Sequence, residues 1–317
     1  MENNLISFAR SVEGFSHKDS NKPCQDASTS EPSINSRGDV AHRFIAVADG
    51  HGDKPYFRSD VGSALAVRAA RECMTDGALI DKIDELRKSD ESTKKERDGV
   101  IQWLKKSILN RWNTLVYEHR DTKPFIEEEL APLPEKYADR YRKGEKIESA
   151  YGCTVIAVLL TDSFILAMQI GDGSCVFLDA GGSFSLPVPI DEKCFLNFTS
   201  SISDSDAISE FRHHYSESLP VAVIIATDGI DDSFGFTDPS ASPDRLYDFY
   251  RVVLTSFAAN QEETAIEELA DYLPRLSEKG SCDDISIGVI ADIDSLKKVN
   301  LKKEKDLESI AEPSGTT

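Results

Sequence analysis

Five short, continuous apolar runs constrain this fold more than any other feature. They cover residues 44–48, 154–160, 164–170, 221–226 and 285–290. Each is short, rich in β-branched residues, and followed within two residues by Asp or Gly, the pattern of strands covered on both faces. Thr161-Asp162-Ser163 sits between the second and third runs and reads as a hairpin turn, so antiparallel neighbours are expected. A second hairpin is expected at Gly171-Asp172-Gly173, leading into Cys175-Val176-Phe177-Leu178.

Helical patterns fill the gaps between these runs. Residues 59–73 are Ala-rich. Ile101, Leu104, Ile108, Trp112 and Leu115 recur at three- and four-residue steps, as do Ile266, Leu269, Leu273 and Leu276. Leu246, Phe249 and Val253 mark the helix before that last stripe. Strands and helices come in blocks rather than in strict alternation, which favours layered α+β over a doubly wound parallel sheet. Four segments read as irregular: a charged linker with some helix of its own at 76–98, a proline-bearing insertion or loop at 121–149, a polar stretch at 200–218, and a Lys/Glu-rich tail at 295–317 fading into disorder. His213 and His214, adjacent in the polar stretch, read as surface residues.

The 317 residues carry 36 Lys+Arg against 56 Asp+Glu, a formal charge of −20. Such a chain has no electrostatic reason to bind nucleic acid or an anionic membrane. The start lacks a basic and an apolar region, so no signal peptide is expected. Nor does any apolar run approach the ~18 residues of a membrane span. Cys24, Cys73, Cys153, Cys175, Cys194 and Cys282 have no metal-site or disulfide spacing, and Cys153 and Cys175 read as small core residues. A cytoplasmic, monomeric protein with reduced thiols is the expectation.

The chemistry lies where acidic residues meet strand ends. Asp49 follows the first run and precedes Gly50-His51-Gly52. Asp228 follows the fourth and precedes Gly229. Asp172 lies between two glycines, Asp283-Asp284 precede the last run, and Asp26 stands in Cys24-Gln25-Asp26-Ala27. One Asp-Gly at a strand end is ordinary turn chemistry. Several carboxylates at one sheet edge would be destabilising unless cations neutralise them. Carboxylate and carbonyl donors suit hard ions such as Mg²⁺ or Mn²⁺ rather than zinc.

Asp49-Gly50-His51-Gly52, Gly171-Asp172-Gly173, Ala226-Thr227-Asp228-Gly229-Ile230 and Ser281-Cys282-Asp283-Asp284-Ile285-Ser286 occur in the order found in metal-dependent protein phosphatases of the 2C type. Gln25-Asp26-Ala27 resembles that family's N-terminal acidic motif. The similarity runs from about Phe8 to Asp292. It implies a four-layer α-β-β-α sandwich, two mainly antiparallel sheets flanked by helices, over residues 1–294, with a flap-like segment at about 185–220. It also implies hydrolysis of phosphoserine and phosphothreonine in proteins at two Mn²⁺ or Mg²⁺ ions. By the resemblance, Asp49 would bridge the ions, the Gly50 carbonyl would be a ligand, Asp228 and Asp283 would complete the centre, and Asp26 would hold it directly or through water. Asp172 with Asp228 matches a weaker third metal site. His51 matches the general acid.

Three departures stand out. Gln25 replaces the usual Glu, which predicts altered metal affinity. Asp284 replaces a common Asn, which adds charge to the site if it points inward. Residues 16–23 contain no arginine, leaving His17, Lys18 or Lys22 to contact phosphate; a lysine there is a point charge without the Arg fork. The missing arginine motivates an alternative, a catalytically silent phosphopeptide-binding or scaffold protein. A hydrolase with an aspartyl nucleophile is disfavoured, because Asp49-Gly50-His51 lacks the second Asp of that chemistry.

Overall fold

The computed structural model describes residues 4–18, 22–31, 42–87, 90–189, 191, 199–236 and 241–301. Ten strands are described: β1 (Leu5–Val12), β2 (Ala27–Glu31), β3 (His42–Ala48), β4 (Val155–Thr161), β5 (Ile165–Ile170), β6 (Ser174–Leu178), β7 (Phe184–Ser185), β8 (Arg212–Ser216), β9 (Ala222–Ala226) and β10 (Ile285–Asp292). They form two five-stranded sheets, ordered β1-β10-β9-β6-β7 and β2-β3-β4-β5-β8, with every neighbour antiparallel.

The helices are α1 (Phe15–Lys18), α2 (Ser59–Met74), α3 (Gly77–Glu85), α4 (Glu91–Thr122), α5 (Glu127–Leu130), α6 (Glu135–Arg142), α7 (Ala207–Glu210), α8 (Asp228–Ser233), α9 (Asp244–Ala259), α10 (Glu262–Lys279) and α11 (Ile293–Leu296). Helices α2 and α4 cover the outer face of the second sheet, and α9 and α10 cover that of the first. The four-layer α-β-β-α sandwich is therefore present.

Alternation along β3 shows why the apolar runs are continuous. Phe44, Ala46 and Ala48 face α2 and α4, whereas Ile45 and Val47 meet Val223, Ile225 and Ile290 of the opposite sheet. A strand in the middle of four layers has no wet face, so no polar residue interrupts it. Trp112 anchors α4 on α2, fully buried, with its indole N–H donating to the Gly62 carbonyl at 3.0 Å.

The structure departs from the sequence expectation in four places. Gly171-Asp172-Gly173 is not a hairpin turn. β5 pairs with β4 and β8, β6 pairs with β9 and β7, and the glycine turn carries the chain from one sheet to the other. Gly171 has φ of 103°, open to glycine at no steric cost. The charged segment 76–98 is mostly helix, comprising α3 and the first turns of α4, with Asp76 and Asp90 as N-caps accepting from Leu79 N and Thr93 N. The insertion at 121–149 contains α5 and α6. Arg58, just before α2, holds it through paired 2.8 Å bonds to Glu129 and through the Tyr151 hydroxyl and Lys123 carbonyl. Last, His213 and His214 are half-buried on edge strand β8 rather than on the surface. His214 meets Phe177 edge-on between the sheets, and burial, with Lys105 nearby, pushes His213 down to about 4. The tail from 302 and Cys194 lie outside the described residues; Cys153 and Cys175 are buried as expected.

Candidate metal centre

The acidic residues converge because their strands end at the same edge of the sandwich. Asp49 leaves β3 alongside the residues that enter β4. Its N–H donates to Thr154 Oγ1 at 3.1 Å and its carbonyl accepts from Thr154 N at 2.8 Å. Gly50 N donates to the Gln25 carbonyl, and His51 N to the Gly152 carbonyl. The loop is thus an irregular extension of the β3–β4 ladder. Asp228 opens α8 directly after β9, behind Thr227, whose N–H is held by the Ser286 carbonyl of β10. Asp172 rides on the crossover between sheets. Asp283 precedes β10 and follows Cys282, a non-glycine residue at φ 62°. That strained position aims the turn carrying Asp283.

Oxygen atoms of Asp49, Asp172 and Asp228 lie within 4.8 Å of one another. Burial pushes Asp49 well above the ordinary carboxylate range, and the charges of Asp26, Asp172 and Asp283 add to it, opposed by a hydrogen bond with Asp228. Asp228 is pushed up in the same way, by burial and then by Asp49, Asp172 and Asp283. Asp26 is also buried and raised, though its Oδ2 accepts from Thr227 Oγ1 at 2.8 Å. Carboxylates so crowded favour protonation unless a cation replaces the proton. The donor set is all oxygen, which fits a hard divalent cation. Asp26 and Asp283 flank this trio.

His51 packs edge-on against Tyr56 with centroids 4.8 Å apart. Burial lowers its pKa, against the pull of Asp172, Asp204 and Asp53. The Gln25 amide does not turn towards the acidic trio; it donates to the His51 carbonyl and to Ser59 Oγ, bracing the metal loop. The three phosphate-contact candidates are separated. Lys22 Nζ lies 3.4 Å from the Gly52 carbonyl, Lys18 stands over the Phe15 ring, and His17 is buried with Nδ1 3.0 Å from Asp284 Oδ1. The Asp284 carboxylate is taken up by bonds from Gly14 N and Gln25 N.

Two acids near the site escape the motif reading. Asp231 is buried, its Oδ1 accepting from Ser174 Oγ at 2.8 Å. Asp232 is half-buried and raised by burial and by Asp172 and Asp283. Asp232 stands four residues after Asp228, one helical turn on and on the same face, a spacing available in the sequence.

The family model "Protein phosphatase 2C" matches residues 13–274, and the chain belongs to that family. No curated protein matches it. Among solved structures it resembles the catalytic domain of the serine/threonine protein phosphatase PstP in complex with two manganese ions, at TM-score 0.52 and 15% identity, covering 91% of this chain and 99% of that one. A serine/threonine phosphatase of S. agalactiae gives TM-score 0.51 and 15% identity over 90% and 99%. PppA, a regulatory component of the type VI secretion system in Pseudomonas aeruginosa, gives 0.51 and 15% over 90% and 97%. At these identities the likeness establishes the fold. Among the described residues no helix is long and apolar enough to cross a membrane.

Proposed function

We propose that this chain hydrolyses phosphoserine and phosphothreonine in proteins, using two Mn²⁺ or Mg²⁺ ions. The observation that carries this reading is the convergence of Asp49, Asp172 and Asp228 within 4.8 Å, from both sheets, in a chain of this family. Asp49, the Gly50 carbonyl, Asp228 and Asp283 would hold the pair, with Asp26 behind them and Asp172, with Asp228, beside a weaker third position. Bound there, the ions would supply positive charge for the phosphate and lower the pKa of the attacking water.

The chain's own residues do the rest. Lys22, at the rim, contacts the phosphate. The water oxygen bonds to phosphorus as it gives up a proton to solvent, the ester P–O bond breaks, and the departing seryl or threonyl oxygen takes a proton from His51, which regains one from solvent. Burial lowers the pKa of that imidazole against the pull of Asp172, Asp204 and Asp53, and an arriving phosphate dianion would raise it.

The test is hydrolysis of p-nitrophenyl phosphate and of a phosphopeptide, with and without Mn²⁺. Activity that requires Mn²⁺ and is lost in Asp49→Ala and Asp228→Ala supports the reading. Activity that survives chelator, or persists in either variant, overturns it. The absence of arginine between Ser16 and Pro23 favours a second reading, a silent phosphopeptide binder; calorimetry separates the two, because a silent scaffold need not take up Mn²⁺.

A further inference from the structure

The Asp284 side chain fastens the segment preceding Asp26 to the segment preceding β10, beside a backbone bond from Ser16 N to the Cys282 carbonyl. Asp284 is 4% exposed. Its Oδ1 accepts from Gly14 N at 2.6 Å and lies 3.0 Å from His17 Nδ1; its Oδ2 accepts from Gln25 N at 2.6 Å. His17, Asp283 and Asp284 also offer ligand atoms within 4.8 Å of each other. With both Asp284 oxygens facing N–H donors, this junction is hydrogen-bonded rather than a cation site.

Gln25 passes the constraint onward. Its carbonyl accepts from Gly50 N at 3.1 Å and from Ser63 Oγ at 2.6 Å, and its side-chain amide donates to the His51 carbonyl at 3.2 Å. The next residue, Asp26, is held by Thr227, whose hydroxyl also accepts from Ser286 N at 2.9 Å. Every acidic loop except that of Asp172 therefore hangs from one connected set of bonds. Gly14 fits only because it has no side chain: a Cβ there would lie 2.6 Å from the Asp283 carbonyl carbon.

We propose that Asp284 is the positioning residue of the metal centre, and that His17 is its matched partner rather than a phosphate contact. The proposal deepens the phosphatase reading and rests on it for the metal. Asparagine cannot substitute here. It has one acceptor oxygen, and its NH₂ would face one of the two backbone N–H groups that now donate to the carboxylate. A hydrogen bond to a charged group would be lost and a buried donor left unpaired. Outer partners of metal ligands typically matter about 10–100-fold in affinity or activity.

The experiment uses the full chain and the variants Asp284→Asn and Gly14→Ala, with Leu254→Ala as a core control. Mn²⁺ affinity is measured by calorimetry and the Gly14 and Gln25 amides by hydrogen exchange. In the wild type both amides should be protected. In Asp284→Asn, Mn²⁺ binding should weaken about tenfold or more, one of the two amides should lose protection, and excess Mn²⁺ should restore kcat with KM for p-nitrophenyl phosphate unchanged. Gly14→Ala should weaken Mn²⁺ binding in the same direction without altering any charge. Leu254→Ala should lower Tm and leave Mn²⁺ affinity alone. Unprotected amides in the wild type, or an Asp284→Asn protein with unaltered affinity and protection, would overturn the proposal, as would an affinity loss matched by Leu254→Ala. A wild type that binds Mn²⁺ but hydrolyses nothing sinks the phosphatase reading and leaves this one standing. A wild type that binds no Mn²⁺ ends the metal role.

Discussion

Two acidic junctions lie side by side at one edge of this sandwich, and they differ in what their oxygens already touch. At Asp49, Asp172 and Asp228, carboxylates face one another, and burial and mutual repulsion push Asp49 and Asp228 well above their ordinary range. At Asp284, the carboxylate faces two backbone N–H groups and an imidazole. Proximity of three ligating side chains is common to both. A count of acids therefore does not define a cation site; the supply of N–H donors decides whether a cation is needed.

The largest expected effect separates the two junctions. Asp49→Asn should cost at least about a hundredfold in Mn²⁺-dependent hydrolysis, no less than the loss of an outer partner, and excess Mn²⁺ should not restore it, whereas Asp284→Asn should recover. Steady-state kinetics across a Mn²⁺ series decide this, and equal behaviour of the two variants breaks the contrast. Next comes His51→Ala. A general acid contributes roughly 10²–10⁴-fold, so hydrolysis of a phosphopeptide should fall by that order. Hydrolysis of p-nitrophenyl phosphate should fall far less, because its leaving group departs without a proton. Equal losses on both substrates would remove His51 from that role.

The third expectation concerns pH without metal. Asp49 and Asp228 have folded-state pKa values raised above the unfolded value of about 3.9. A carboxylate raised on folding contributes stability that is complete below the unfolded pKa and lost as pH rises through the folded one. In chelator, Tm should therefore fall as pH rises through the range above about 3.9, the unfolded value. Added Mn²⁺ should flatten the profile, and so should Asp49→Asn. A chelated protein whose Tm is flat over that window contradicts the crowding at the first junction. The smallest effect belongs to Lys22→Ala. An exposed charge contributes on the order of 0.2–1 kcal/mol, so KM for phosphopeptide should rise by at most about fivefold with kcat held; an unchanged KM would take Lys22 off the phosphate.

The central strands were legible because four layers leave them no wet face. Strand β1 was not, since Ser7 and Arg10 interrupt it, and β8, Arg-His-His-Tyr-Ser, is an edge strand with no apolar run. The crossover at Gly171-Asp172-Gly173 carries the local signature of a hairpin, and only the pairing of Ser174 with Ala226 places β6 in the other sheet. At the site, Asp49, Asp172 and Asp228 could be chosen from their positions after strands. The role of His17 could not, because its partner Asp284 lies near the other end of the chain and nothing in the local pattern distinguishes a buried imidazole from an exposed one.

The crossover has a mechanical consequence. Asp49 hangs from one sheet, Asp228 from the other, and Asp172 from the strap between them. Any cation the three share is a rivet through both layers at one edge. Withdrawing it leaves that edge of the sandwich held by the strap, the hydrogen bonds around Gln25 and Thr227, and apolar contact, with charge repulsion prising the sheets apart. Metal occupancy would then set how tightly the two sheets close at that edge.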